Sequence, residues 1–320
     1  NLESLLYLSR QDLENISISS LEMVNHIQHL CNQREQGQVQ VAPKNSLKPD
    51  NDRFYMSTLA VAGPPGFMVI KSLGLSNSNS ERGLKSIGSL VTLFDTATAH
   101  PLAIMDGDWI TAYRTAALSA LAARFLAQEN SKVAAFIGCG VQARSHLALL
   151  SDLYPLREIF IYGRGADNQR LLKDQAENRN LRAVIADNEL EAITHADIIV
   201  TTIPDNFGME PFLSARRLKP GSFVSMVDLA RSWLPSELNS FAKIIIDDSK
   251  QEASEAPPMV KPELVVGDLQ DLIAGRTLGR SGSKECTAFV FRGMAIGDLA
   301  LAGLAYERAR ATGLGRELPR

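Results

Sequence analysis

Val133-Ala134-Ala135-Phe136-Ile137-Gly138-Cys139-Gly140-Val141-Gln142-Ala143 is the stretch that decides the fold. Five apolar residues run into a glycine turn, and the turn opens a helix-like segment from Gln142 to Leu153. Strand, glycine turn and helix together form the context that a dinucleotide fingerprint requires. Gly138 permits the tight turn, Gly140 lets a pyrophosphate approach the backbone, and Ala143 lets helix and strand pack closely. The N–H groups at the helix start have no intrahelical partner and would face phosphates. A bare G-x-G-x-x-A pattern also fits an ordinary strand-to-helix turn; its place at a strand end favours nucleotide binding.

Downstream the alternation continues. Glu158–Tyr162, Arg182–Ala186, Asp197–Thr202, Ser222–Val227 and Lys243–Asp247 read as further strands, with helices at Asn168–Glu177 and Glu189–Thr194. The β-branched run in Asp197–Thr202 suits a strand buried on both faces. With Val133–Ile137 this makes about six parallel strands, the number of a doubly wound nucleotide domain. After Asp248 come a proline-rich passage (Pro257, Pro258, Pro262), a helix near Leu264–Ala274, a strand at Thr287–Phe291 and a helix at Ala295–Ala311.

The N-terminal third differs in character. Ser19–Arg34 reads as a helix with an apolar stripe of Leu21, Val24, Ile27 and Leu30, followed by strand-like pieces at Phe54–Leu59, Phe67–Ser72 and Ser89–Phe94. An alanine-rich helix spans Trp109–Leu126. Because the alternation occupies only the middle, the two ends are expected to combine. The expected fold is α/β: a Rossmann-type doubly wound parallel sheet over 118–292, inserted in a discontinuous α+β domain of 1–117 plus 293–320.

The 320 residues carry a net charge of −3, which gives no reason to expect nucleic acid or an anionic membrane as partner. The longest apolar runs, such as Ile198–Ile203, are strand-sized and far short of a membrane span. Asn1-Leu2-Glu3-Ser4 lacks a basic segment followed by an apolar one, and Cys31, Cys139 and Cys286 are few and scattered. A reduced, cytoplasmic setting is expected. The five histidines form no ligand-spaced motif, and His26 with His29 fits a solvated helix face, so no metal is expected. Cys139 has no base beside it in sequence and reads as a small buried residue.

The second strand ends Tyr162-Gly163-Arg164-Gly165, with no carboxylate before Asp167. An acidic residue there would hold the ribose hydroxyls of NAD; a cation would meet a 2′-phosphate. Arg164 therefore points to NADPH, with NADH possible and a solvated loop arginine as the plain alternative. Three other charges stand out. Lys71 ends the apolar run Phe67-Met68-Val69-Ile70, Arg114 lies in a helix otherwise apolar or small, and Asp228 directly follows Ser225-Met226-Val227 at a carboxyl end of the sheet. Taken singly, each also fits a structural role.

Together these pieces resemble the ornithine cyclodeaminase/mu-crystallin family across almost the whole chain. The resemblance rests on Pro43-Lys44, Lys71, Arg114-Thr115-Ala116-Ala117, the glycine turn through Ala143, Thr201-Thr202, Asp228 and Gly293-Met294-Ala295-Ile296-Gly297-Asp298. It implies a nucleotide domain inserted in a substrate domain whose sheet pairs with that of a second subunit, giving a homodimer. It implies small α-amino or α-imino acids as substrates. Arg114 should clamp the substrate carboxylate, with Lys71 beside it or at the reacting nitrogen, and Asp228 should hold that nitrogen and move its proton. Lys44 and Met56 are further substrate-side candidates. Gly138, Gly140, Val141 and Gln142 should meet the pyrophosphate, Arg164 the adenosine end, and Thr202, Met226 and Val227 the nicotinamide side. Ser86, Thr115 and Arg292 are weaker cofactor candidates.

The chain also departs from the cyclodeaminases. They usually have an arginine where Lys44 stands, an acidic residue where Arg164 stands, and Pro-Gly-Lys after the aspartate, where this chain has Leu229-Ala230-Arg231. A cyclodeaminase recycles tightly held NAD, whereas net reduction draws on NADPH. The expectation is therefore an NAD(P)H-dependent reductase of a cyclic or acyclic α-imino acid such as Δ1-pyrroline-2-carboxylate. An amino-acid cyclodeaminase and an NADPH-bound mu-crystallin-like binding protein are the alternatives.

Overall fold

The computed structural model describes residues 4–204 and 209–320. It divides into two compact units, Asn1–Arg114 with Met294–Arg320, and Thr115–Gly293.

The chain starts with β1 (Ser4–Leu8), α1 (Arg10–Glu14) and α2 (Ser20–Glu35). Ser9 and Ser19 open these helices with capping boxes to Asp12 and Glu22, so each helix start follows from a local sequence signal. Then come β2 (Val39–Val41), β3 (Asn45–Leu47), β4 (Arg53–Ala62), β5 (Phe67–Ser76), β6 (Ile87–Asp95) and β7 (Pro101–Asp106). The strands expected from sequence are present but longer, and β1, β2, β3 and β7 are additions. Within β5, alternate residues Val69 and Lys71 are buried, so Lys71 occupies a position where the pleat calls for an apolar side chain. α3 (Gly107–Leu126) follows, its first turn held by Asp106, which accepts from the Trp109 amide at 2.8 Å.

The second unit contains β8 (Val133–Ile137), α4 (Val141–Leu153), β9 (Glu158–Tyr162), α5 (Ala166–Glu177), β10 (Arg182–Ile185), α6 (Glu189–Thr194), β11 (Ile198–Thr201) and β12 (Phe223–Met226). It continues through β13 (Lys243–Ile246), α7 (Ser249–Ala253), β14 (Val265–Asp268), α8 (Leu269–Ile273) and β15 (Thr287–Val290). The strands are all parallel, in the order β10-β9-β8-β11-β12-β15-β13-β14. Order reverses between β8 and β11, the switch point at which such sheets bind ligands beyond their carboxyl ends. Ile198, Ile199, Val200 and Thr201 of β11 are fully buried, as a strand covered on both faces must be.

Two details differ from the sequence reading. The sheet has eight strands rather than six among the described residues, because β15 inserts between β12 and β13 and β14 adds an edge. The single helix expected near Leu264–Ala274 is split, because Asp268 ends β14 and forms a capping box with Asp271 that starts α8 only there.

The chain then returns to the first unit with α9 (Ala295–Thr312), closed by Gly313 at φ 71°, and β16 (Arg316–Pro319). That unit's sheet has the order β16-β1-β7-β6-β5-β4-β2, with β3 also pairing with β4. Among the described residues, no helix is long and apolar enough to cross a membrane, and no three His, Cys, Asp or Glu side chains gather as a metal site.

Candidate active site

Gly138 sits at φ 94°, where a side chain is strained, and an added Cβ would lie 2.7 Å from Thr202 Oγ1 and 2.9 Å from the Thr202 carbonyl. The turn is pinned by the Gly138 amide donating to the Tyr162 carbonyl at 2.8 Å and the Thr202 amide to the Ile137 carbonyl at 2.8 Å. Gly140 is the N-cap of α4 with extended backbone and no side-chain cap, and a Cβ there would meet nothing within 4 Å. The start of a 13-residue helix is thus left open to an anion. Gln142 Oε1 and Thr202 Oγ1 are buried and have no hydrogen-bond partner among the described residues. Narrow glycine turn, uncapped helix start and two unanswered polar atoms fit a dinucleotide.

Around that turn, Val141 is 49% exposed and Arg164 is exposed two residues beyond β9. Asp167 points to Arg170 at 2.8 Å. Arg144 donates to the Cys139 carbonyl at 3.1 Å and to Asn168 Oδ1 at 3.2 Å, tying the turn to α5. The other cofactor candidates fare unequally. Met226 is wholly buried in the core and Val227 is half-buried. Arg292 is engaged by Glu252 at 2.7 Å and by the Pro257 carbonyl at 2.9 Å. Thr115 is buried and Ser86 is exposed. Burial pushes the Cys139 thiol up to about 11, leaving it unreactive.

In the first unit the structure brings Lys71 and Arg114 together through Asp298, a residue of the resemblance motif to which the sequence assigns no role. Asp298, in the first turn of α9, accepts from Lys71 Nζ at 2.8 Å through Oδ1, and Arg114 Nε lies 3.3 Å from the same oxygen. Its Oδ2 accepts from the Thr58 hydroxyl at 3.2 Å. Lys71 and Asp298 are each 1% exposed and Arg114 is 8% exposed. Two cations therefore share one carboxylate in a buried place, leaving a net positive charge. Arg114 Nε and Nη1 have no hydrogen-bond partner among the described residues, so most of the guanidinium fork remains to be answered.

The electrostatics follow from this crowding. Burial pushes the Lys71 ammonium down to about 8; Arg114 pushes the same way, Asp298 resists, and Lys44 adds a smaller downward push. For Asp298, burial favours the neutral acid, but Lys71 and Arg114 overcome it and hold the carboxyl below its usual range. Met56 lies two residues from Thr58 on β4, hence on the same face of the strand, and Lys44 is half-buried just before β3.

Asp228 follows β12 in the second unit and is 5% exposed. Its Oδ1 accepts from Thr201 at 2.8 Å and its Oδ2 from Ser232 at 2.6 Å. The loop that returns Ser232 to the carboxylate puts Leu229 at φ 60° and Ala230 at φ 62°, consecutive left-handed residues that cost free energy. The strained turn is locked by Trp233, which is fully buried and donates to Thr201 Oγ1 at 3.4 Å, and by the Ser232 carbonyl, which accepts from the Phe212 and Leu213 amides. Burial raises the proton affinity of Asp228 above that of an ordinary carboxylate, despite the opposing hydroxyls of Ser232 and Thr201. A carboxyl fixed by two hydroxyl donors at this edge of the sheet is a candidate for proton transfer.

Asp298 and Thr201 stand in the motifs that carry the family resemblance, but the sequence assigns them no role, and it assigns none to Thr58 and Ser232 either. For Asp298 a signal existed: it is the one charge in Ala295–Ala305, the same anomaly that exposed Arg114. Nothing in sequence links Thr58 or Ser232 to a carboxylate.

Comparison with known proteins agrees with this architecture. A structure of Thermococcus litoralis Δ1-pyrroline-2-carboxylate reductase with NADH and L-proline superposes with a TM-score of 0.90 at 25% identity, covering 98% of this chain and 100% of that one. An archaeal alanine dehydrogenase dimer with bound NAD gives a TM-score of 0.87 at 27% identity, covering 98% of this chain and 99% of that one. A Δ1-pyrroline-2-carboxylate reductase of Bacillus cereus is 29% identical over 262 residues, 78% of this chain and 79% of its own. The sequence profile of one family matches residues 5–313, and the chain belongs to that family: ornithine cyclodeaminase/mu-crystallin.

Proposed function

We propose that this protein is an NAD(P)H-dependent oxidoreductase that reduces the C=N bond of a small α-imino acid, with Δ1-pyrroline-2-carboxylate, giving L-proline, as the foremost substrate. The observation that carries the reading is the buried cluster of Lys71, Arg114 and Asp298, two cations to one carboxylate, with Arg114 Nε only ion-paired at 3.3 Å and Nη1 without a hydrogen-bond partner among the described residues. A buried excess positive charge with part of a guanidinium fork unanswered calls for an anion, and a planar carboxylate fits the fork best. Arg114 and Lys71 take the substrate carboxylate, and Asp228 keeps a proton on the substrate nitrogen. An iminium is far easier to reduce than a neutral imine, so a carboxyl of raised proton affinity suits this task.

The dinucleotide is held by the turn of Gly138 and Gly140, the amides of Val141 and Gln142, and Thr202. When bound, a reduced nicotinamide supplies the hydride; the substrate carbon gains it and the nitrogen retains the proton. Arg164, exposed beside the end of β9 with no acidic partner position before Asp167, supports NADPH over NADH. Relatives solved with NADH or NAD make the choice testable: Arg164→Ala should narrow the ratio of NADPH to NADH efficiency, and an unchanged ratio refutes the role.

A homodimer is part of the reading. The face of the first unit's sheet opposite Lys71 presents Leu59, Val61, Met68, Ile70, Leu90 and Phe94, none of them fully buried. A second copy covering this face would remove that apolar surface from water. Light scattering that returned a monomer would refute it.

The central test is direct. Purified protein with NADPH and Δ1-pyrroline-2-carboxylate should consume the nicotinamide absorbance and yield proline. Ammonia from ornithine and NAD without net cofactor change would instead mark a cyclodeaminase. Tight NADPH binding with silence in both assays would mark a binding protein.

A further inference from the structure

We propose that Asp298 is a positioning residue that holds Lys71 as an ammonium at neutral pH and fixes the Arg114 fork beside it, so that the two cations act as one receiver for a substrate carboxylate. This rests on the reading that those cations bind such a carboxylate, and it adds a residue with a separate task.

The geometry leads to it. One oxygen of Asp298 serves both cations, Lys71 Nζ at 2.8 Å and Arg114 Nε at 3.3 Å, and the other takes the Thr58 hydroxyl at 3.2 Å. The carboxylate meets Arg114 on its Nε side, while Nη1 stays unanswered, and Lys71 keeps two of its three donors for another partner. Without Asp298 two like charges would face each other in a place almost closed to water, and the lysine, which unlike an arginine can shed its proton, would give way.

The charged groups facing Lys71 come from three segments: Arg114 on α3, Asp298 on α9 and Lys44 before β3. Of these, Arg114 and Lys44 oppose the ammonium and Asp298 supports it. The balance leaves Lys71 near 8. Mostly protonated at pH 7, it sits close enough to neutrality that loss of Asp298 would tip it. The plain alternative is that Asp298 merely favours the helix start, as a carboxylate in a first turn does.

The test is the titration of Lys71 itself, read by NMR on protein carrying ¹³C at the lysine ε-carbon and assigned by Lys71→Arg. In the wild type Lys71 should titrate above pH 7; a neutral amine at pH 7 overturns the proposal without any variant. In Asp298→Asn its titration should move down by one unit or more, and in Asp298→Glu it should stay near the wild-type value. With substrate, kcat/KM of Asp298→Asn should fall about threefold or more at pH 7.5 and recover in large part near pH 6, since a one-unit downward shift from about 8 takes the protonated fraction at pH 7.5 from about three quarters to about one quarter. Dinucleotide affinity should stay within about twofold, because no phosphate contact is touched. A uniform loss at all pH values with an unshifted Lys71, as a helix-start role gives, overturns the proposal. If the wild type reduces no imino acid, the substrate reading fails, and the NMR titration still decides the role of Asp298.

Discussion

Arg114→Ala separates substrate binding from dinucleotide binding. The side chain is 8% exposed, its Nε and Nη1 lack hydrogen-bond partners, and its neighbour Asp298 is already answered by Lys71 and Thr58. Removing the guanidinium therefore leaves no new unpaired carboxylate in the cluster. What is lost is the fork toward a bound anion. Hydrogen bonds to charged groups contribute about 1.5–3 kcal/mol each, so two of them correspond to about 3–6 kcal/mol. Water entering the emptied space recovers part of this, which places the expected fall in kcat/KM at about 10²–10⁴-fold. Arg114→Lys keeps the charge without the planar fork and should recover only part of the loss.

A second signature has a definite sign. Arg114 is, after burial, the largest cause lowering the Lys71 proton affinity. Its removal should let Lys71 keep its proton to higher pH, so the alkaline limb of the activity profile moves up from about 8. Steady-state rates with Δ1-pyrroline-2-carboxylate and NADPH across pH, alongside dinucleotide affinity by nicotinamide fluorescence, measure both effects. A loss below about tenfold, or a parallel loss of dinucleotide affinity, would refute the assignment of Arg114 to the substrate carboxylate.

Three further outcomes are expected. Asp228→Asn keeps the shape and the Thr201 and Ser232 neighbours but cannot ionise; kcat should drop about 10²–10⁴-fold with dinucleotide affinity retained, and near-normal turnover would remove Asp228 from proton transfer. Gly138→Ala places a methyl 2.7 Å from Thr202 Oγ1 at a φ of 94°; dinucleotide binding should be abolished or the melting temperature lowered by several degrees, whereas normal binding and melting would contradict the turn's role. His146 is fully buried, its Nδ1 donating to the Gln142 carbonyl at 2.6 Å while Nε2 accepts from Ser119 at 2.7 Å, and burial pushes it down to about 4. Its folded value lies below the unfolded one, so its contribution to stability is present above about pH 6.5 and is lost as pH falls toward 4. Between pH 7 and 5 this amounts to about 2 kcal/mol, and thermal melts of His146→Gln should show a correspondingly weaker acid dependence than the wild type.

Much of the second unit was legible because local signals and long-range packing agree there. Val133–Ile137, Glu158–Tyr162 and Glu189–Thr194 end where the apolar runs and turn residues end. Parallel strands covered on both faces are written as continuous β-branched runs, so β11 announces itself. β14 did not, because two valines and a glycine before Asp268 suit helix or strand equally, and only pairing with β13 decides. In the first unit, β7 begins with a proline and β1 pairs with β7 and β16, partners about a hundred and three hundred residues away. Short strands of that kind owe their existence to the sheet and not to their own residues.

The site divides along the same line. Lys71, Arg114 and Asp228 could be suspected because each places a charge where the local pattern demands an apolar or small residue, and burying a charge without a reason is costly. What such an anomaly cannot disclose is the counter-charge. Asp298 lies 227 residues from Lys71 in the chain, and its pairing exists only once α9 has packed across β5. Still, the physics restricts the answer before any coordinates are known. Two buried cations require at least one carboxylate within reach, and it must itself appear as an unexplained acid in an apolar segment. Ala295–Ala305 contains one such acid, so the search for a partner could have been run on the sequence by matching buried charges of opposite sign. The remainder of that balance, one positive charge left over, is answered by no counter-charge among the described residues, and this is the ground for proposing the cluster as a receptor for an anion rather than as a structural ion pair.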